Sequence, residues 1–226
     1  MSEVTKSQIK HFKQLYETHQ GTLMAVSSES LAHKQLRYEQ ISKIFAAEQR
    51  FSIHDVGMGL SYYYAYLKNN FPTLEIEYSG SEILKAFYKE SMKRYPEQRF
   101  YIRDISKQSF KDCYDYVIMS GVFHQRRDTP IRQWENYAQS LISNSFADFI
   151  VSCARRSACS KTTCATDVAA SCSVFRSSSA ESSPIEPIYP CSSDRISSCN
   201  AAISCLFLST PSLARLFSNS SWAIFI

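Results

Sequence analysis

The sequence predicts an α/β domain built on a doubly wound, mostly parallel sheet, and three observations carry that prediction. Across residues 1–146, stretches with apolar residues at helical spacing alternate with short strand-like runs. One such run, Phe51 to Val56, leads directly into a turn containing Gly57 and Gly59, with a helical pattern behind it. Another, Tyr114 to Ser120, reads Tyr-Asp-Tyr-Val-Ile-Met-Ser, an apolar content suited to a strand buried on both faces. Strands joined through helices need right-handed crossovers, which place helices on both sides of the sheet.

Each element follows in order. Lys6 to Gln20 carries Ile9, Phe12, Leu15 and Tyr16 at helical spacing, which suits an amphipathic helix lying on a larger body. Residues 30–48 repeat the pattern with Leu31, Leu36, Ile41, Ile44 and Phe45, after a capping stretch that includes Ser27, Ser28, Glu29 and Ser30. The strand Phe51 to Val56 and its turn precede a helix from Ser61 to Asn70, ended by Pro72. Glu75 to Tyr78 is a second strand, Glu82 to Tyr95 a helix closed by Pro96, and Arg99 to Arg103 a third strand. Tyr114 to Ser120 is the fourth strand, and Pro130 to Asn144 a helix with Trp134, Tyr137, Ala138 and Leu141 on one side.

A chain of 226 residues can form one ordinary domain with appendages. The expected division is a helical lead-in over 1–48, a core over 49–146 and an atypical tail over 147–226. The net charge of +4 comes from 25 basic and 21 acidic residues without long runs, so neither nucleic acid nor an anionic membrane is implied as a partner. The polar start, Met1 to Lys13, lacks the apolar stretch of a secretion signal, and a cytoplasmic address is expected.

The turn at Asp55-Val56-Gly57-Met58-Gly59-Leu60-Ser61 is the centre of the functional reading. In a doubly wound sheet the ligand crevice lies at the carboxyl ends of the strands, where the strand order reverses. Gly57 and Gly59 let the backbone turn tightly and approach a ligand, and Ser61 is expected to open the next helix with free N–H groups. A nicotinamide or flavin dinucleotide is the competing ligand. Its fingerprint needs a third glycine three residues after the second, where this chain has Tyr62, with Tyr63 and Tyr64 beyond it.

The Asp-x-Gly-x-Gly form resembles motif I of the class I S-adenosylmethionine (SAM) dependent methyltransferases. Met58 and Ser61 depart from it, since those places often hold a small residue or Cys and a Gly, respectively. In that family the turn holds the amino-acid portion of SAM, to which Asp55 would contribute. Glu82, in Tyr78-Ser79-Gly80-Ser81-Glu82-Ile83, matches the acid that accepts from the ribose hydroxyls; a carboxylate offers two acceptor oxygens to a vicinal diol. Asp104, in Tyr101-Ile102-Arg103-Asp104-Ile105, resembles motif III, where the acid accepts from the adenine amino group and Ile105 would lie against the ring. Residues 114–123 resemble motif IV, whose strand end, at Ser120, borders cofactor and acceptor.

The resemblance covers roughly residues 10 to 146, and 25–45, with Arg37-Tyr38, look like the lead-in of small bacterial-type methyltransferases. It implies a Rossmann-like fold, SAM as cofactor, and Asp55, Gly57, Met58, Gly59, Glu82, Ile83, Asp104, Ile105 and Ser120 as cofactor-binding residues. Taken singly, Asp55 as a turn cap, Asp104 as a loop acid and Glu82 as a helix-end acid are ordinary structural roles.

Methyl transfer is an in-line displacement, so holding the nucleophile against the methyl group is the main task. A base is needed only if the acceptor must lose a proton, and His124, just after the fourth strand, is the candidate. Tyr16 or His11 would serve as lid residues. No Asn-Pro-Pro-Tyr-like sequence follows that strand, so a small-molecule acceptor is expected by analogy.

Beyond Phe146 the composition changes. The first part holds all five Gly, all five His, thirteen Tyr and one Cys, Cys113; the tail has seven Cys, about a quarter Ser and one Tyr. With no His and no Cys-x-x-Cys pair the tail predicts no metal site, and a reducing compartment disfavours disulfides. Such a composition is what translation in a shifted frame produces, which would leave the C-terminal strands of the fold missing or replaced. A truncated, non-catalytic binding protein is the corresponding alternative, with poor stability and with Cys205 to Leu208 as an aggregation-prone segment. A native but unusual extension is the other reading of the tail.

Overall fold

The structure is a computed structural model that describes residues 1–157 apart from 29, 46, 47, 110, 111 and 113, together with the backbone of 173–176 and 222–225. Its side chains are described as far as residue 145. In order, the elements are α1 (Glu3–His19), a 3-10 turn (Leu23–Val26), α2 (Leu31–Ser42), a second 3-10 turn (Lys43–Phe45), β1 (Arg50–Val56), α3 (Tyr62–Asn70) and β2 (Glu75–Glu82). There follow α4 (Lys85–Arg94), β3 (Arg99–Ile102), β4 (Tyr116–Ser120), α5 (Ile131–Ser157), β5 (Ser173–Arg176) and β6 (Trp222–Phe225).

The sheet order is β3-β2-β1-β4-β6-β5. The first four strands are mutually parallel, with β1 flanked by β2 and β4. The order therefore reverses beside β1, where a doubly wound sheet opens its crevice. Alternation along β4 shows how both faces are covered. Tyr116 and Ile118 pack with Tyr38, Ile41 and Phe45 of the α2 region and with Tyr63 and Leu67 of α3. Val117 and Met119 point the other way, onto Trp134, Ala138 and Leu141 of α5. A third cluster, Ala25, Leu60, Leu84 and Phe87, seats α1 through Phe12 and Tyr16.

Among the boundaries that differ from expectation, such as α2 ending at Ser42 and β4 starting at Tyr116, three bear on the sheet or the site. α1 starts at Glu3, because the Ser2 hydroxyl caps it by accepting from the Thr5 amide. β2 runs through Ser79-Gly80-Ser81 to Glu82, so Glu82 ends a strand and does not open a helix. That polar stretch stays paired because buried His54 on β1 places Nδ1 and Nε2 each 2.7 Å from the hydroxyls of Ser79 and Ser81. Finally, α5 does not stop at Asn144; no Gly or Pro interrupts it before Ser157.

Beside β4 the next strand is β6, running antiparallel, with β5 antiparallel outside it. Both come from the tail. The tail's first residues continue α5 to Ser157; the rest of it, including Cys205 to Leu208 and most of the composition behind the shifted-frame reading, lies outside the described residues, as do Glu29 and Cys113. Among the described residues no helix is long and apolar enough to cross a membrane.

Candidate functional site

A cavity of about 390 Å³ opens at the carboxyl ends of β1, β2 and β4. Of the residues singled out from the sequence, Gly57, Met58, Gly59, Glu82, Ile83, Asp104, Ile105, Ser120 and His124 all line it.

The glycine turn is tightly closed. Gly57 has φ +74° and Gly59 φ +57°, the left-handed region where a side chain is strained. A Cβ on Gly57 would also lie 2.9 Å from Val122 Cγ2. The amides of Gly57 and Met58 both donate to the Ser81 carbonyl, at 2.8 and 3.2 Å. The Gly59 amide donates to Glu82 Oε2 at 3.0 Å. These three N–H groups are thus spent within the protein.

Ser61 departs from the expected role of free donor. It precedes α3 in the left-handed conformation, φ +56°, and its amide donates to the Met58 carbonyl.

Glu82 Oε1 accepts from the amides of Ile83 at 2.7 Å and Leu84 at 2.9 Å. Burial pushes its carboxyl up to about 7, against the three amide donors, which pull it down. Oε1 is saturated by its two amides, whereas Oε2, with the Gly59 amide alone, keeps a lone pair for a further donor.

Asp55 does not reach the cavity wall. It lies behind the turn, buried, with Oδ2 accepting from the Tyr78 hydroxyl at 2.6 Å. Burial raises it to about 7 as well, with Glu82 adding to the rise and Tyr78 and Arg37 opposing it. Any contribution of Asp55 to ligand binding is therefore through the turn.

Asp104 is already engaged. Its Oδ1 accepts from the amide and hydroxyl of Ser106, and its Oδ2 from Thr5 Oγ1 at 2.9 Å. Beside it Ile105 is buried on the wall, its carbonyl accepting from Asn144. Arg103 packs its guanidinium over the Tyr101 ring at 4.5 Å.

His124 lines the opposite end. A hydrogen bond with the Gly121 backbone holds it, yet burial, with Arg37 and Lys34 nearby, brings its pKa down to about 4. It is neutral at neutral pH.

α1 covers the cavity with Gln8 and Phe12, not with His11 or Tyr16. Gln8 Nε2 donates to the Gln125 carbonyl at 2.7 Å, whereas Tyr16 meets the edge of Phe87. Gln8 and Phe12 stand four residues apart on one face, a spacing the sequence contains but cannot orient.

α2 contributes what the sequence missed. Leu31 and Leu36, expected on its buried face, are 54% and 44% exposed, while Lys34 is 5% exposed and faces the cavity with Arg37 and Tyr38. Lys34 Nζ lies 4.3 Å from the Tyr62 ring centre, so Tyr62 is a wall residue while Tyr63 and Tyr64 are core. Three polar wall atoms are buried without a hydrogen-bond partner: Arg37 Nε, Arg103 Nη1 and Ser120 Oγ. Buried donors without partners at a cavity wall are what a polar ligand would satisfy. No group of three or more His, Cys, Asp or Glu side chains suited to a metal occurs among the described residues.

No family model matches the chain, and no curated protein does. Solved structures similar to it include a sugar N-methyltransferase from Streptoalloteichus, 16% identical, covering 58% of this chain and 48% of that one with a TM-score of 0.39. An amino pentose methyltransferase from Micromonospora echinaspora is 16% identical, with 51% and 47% covered and a TM-score of 0.38. A SAM-dependent methyltransferase from Clostridium acetobutylicum is 10% identical, with 60% and 52% covered and a TM-score of 0.40. The chain spans about half the length of these structures.

Proposed function

We propose that the cavity binds SAM and that the protein transfers its methyl group to a small-molecule acceptor. The observation that carries this reading is the Glu82 carboxylate closing the glycine turn on the Gly59 amide. A dinucleotide pyrophosphate needs turn amides free and an electropositive surface. Here the amides of Gly57, Met58 and Gly59 are taken, and a carboxylate occupies the place of the phosphate.

The residues present fit SAM. Glu82 Oε2 retains one acceptor site for a ribose hydroxyl, and a cation bound nearby would favour the ionised form of this carboxyl. Asp104 Oδ2 retains one lone pair beside buried Ile105, suited to an amino-purine edge and face. Ser120 Oγ and Arg103 Nη1 are partnerless polar atoms on the same wall.

When bound, SAM supplies an electrophilic methyl on a sulfonium, whose C–S bond breaks as the acceptor bonds to carbon. The chain's own task is then to orient, to exclude water and to receive any proton the acceptor sheds. Gln8 and Phe12 cover the cavity and keep water out. Neutral His124 accepts a hydrogen bond from the acceptor, and its depressed pKa suits sharing a proton more than keeping it.

Calorimetric titration tests the reading. Saturable heat with SAM or with its demethylated product, S-adenosylhomocysteine, is expected, and none with NAD. Heat with NAD alone would overturn it in favour of a dinucleotide protein.

A further inference from the structure

We propose that the His124 end of the cavity is an oxyanion site, and that the methyl acceptor carries a carboxylate or phosphate group held by Lys34 and Arg37. The inference rests on the methyltransferase reading only for the word acceptor; the anion site stands on its own geometry.

The orientation of α2 is the first argument. A short amphipathic helix packs by burying its leucines, which contributes about 25 cal/mol for each Å² of apolar surface removed from water. α2 buries Tyr38 and Ile41 in the core, but at its N-terminal half Leu31 and Leu36 stay in solvent while Lys34 and Arg37, one turn apart, face the cavity. Burying an unpaired ammonium is unfavourable, and that cost shows in the Lys34 pKa, which burial lowers to about 7. Neither cation forms an ion pair among the described residues.

Two of the carboxylates nearby are committed elsewhere. Glu82 is held by the amides of Gly59, Ile83 and Leu84, and Asp104 by Thr5 and Ser106, both around the nucleoside end. Asp55, which acts on Arg37 through space, lies behind the wall under Tyr78.

Donors converge at the same place. A Cβ on Gly121 would lie 3.7 Å from Arg37 Nη2 and 3.4 Å from His124 Cε1, so this glycine lets the guanidinium and the imidazole ring approach one backbone point. Arg37 Nε and Ser120 Oγ are the partnerless atoms beside it. Lys34 Nζ stands over the Tyr62 ring, and burial, with Arg37 beside it, brings its pKa down to about 7, so a bound anion would draw it to the charged form. A planar guanidinium, an ammonium and a hydroxyl form a donor set for a carboxylate or phosphate. A cationic cofactor next to it adds to the positive charge that an anionic acceptor balances.

The test titrates inorganic phosphate, and separately succinate, into the full chain saturated with S-adenosylhomocysteine. At least one probe is expected to bind saturably. Lys34→Met and Arg37→Gln should each weaken it by about tenfold or more, while S-adenosylhomocysteine affinity stays within about threefold. Lys34→Arg, which keeps the charge, should retain probe binding and so separates lost charge from lost folding. The proposal fails if neither probe binds, or if binding survives both substitutions. It fails equally if the substitutions weaken S-adenosylhomocysteine and spare the probe, since the cations would then serve the cofactor's own carboxylate. Should S-adenosylhomocysteine not bind the wild-type chain, the cofactor reading fails, and the same probes titrated into the ligand-free protein decide the anion site alone.

Discussion

Thr5 Oγ1 donates to Asp104 Oδ2 across 99 residues of sequence, tying the first turn of α1 to the end of β3 at the cavity rim. The helix that covers the cavity is thereby fastened to an acid that lines it. Thr5→Val keeps the shape and removes the donor, leaving that carboxylate oxygen one partner short. A loss of about 1–2 kcal/mol is expected. Amide exchange should speed up selectively in α1; unchanged exchange there would mean the contact does not hold the cover down.

Gly57→Ala places a methyl group against Val122 on a backbone at φ +74°. Strain and overlap together should cost about 1–3 kcal/mol, read by denaturant unfolding. SAM affinity should fall further than stability alone requires, because the turn forms the cavity wall. Wild-type affinity in this variant would show that the turn does not touch the ligand.

Ser61→Gly should stabilise the protein. Ser61 sits at φ +56° with a buried hydroxyl that has no partner. Relief of both outweighs the extra freedom that glycine has in the unfolded chain, for a net gain of about 1 kcal/mol. A rise in Tm of about 2–4 °C corresponds to that gain. A fall would place an unrecognised partner on the hydroxyl.

Asp55 gives a pH dependence of known sign. Burial lifts its carboxyl to about 7 from the ordinary 3.8, so from about pH 4 to about pH 7 the unfolded chain has released a proton that the folded chain keeps. In that window this group lowers stability as pH rises. Asn does not titrate and keeps an acceptor for Tyr78. Relative to wild type, Asp55→Asn should therefore gain stability steadily across pH 4–7 and level off above it. A difference independent of pH would mean that Asp55 ionises normally in the fold.

Much of the site was legible because it lies on a turn and on strand ends, where position in sequence nearly dictates position in space. Gly57, Gly59, Glu82, Asp104, Ser120 and His124 follow successive strands, and a parallel sheet brings all such ends to one edge. The exact extent of β2 was not legible, since Ser-Gly-Ser has the composition of a loop. It pairs as a strand because His54, 25 and 27 residues earlier, satisfies both hydroxyls.

By itself the sequence determined the alternation of strands and helices, the four parallel strands and the glycine turn, because these rest on local periodicity and on backbone angles that few residues tolerate. Only the tertiary structure decided which way the helices face. Rotating α2 about its axis changes no local property of the chain, yet it decides whether the leucines or Lys34 and Arg37 meet the cavity. Likewise, Asp55 and Glu82 are both acids beside one turn, and only packing put the first behind the wall and the second on it. Burial and pairing are sums over distant parts of the chain, which is why neighbouring residues alone could not reveal them.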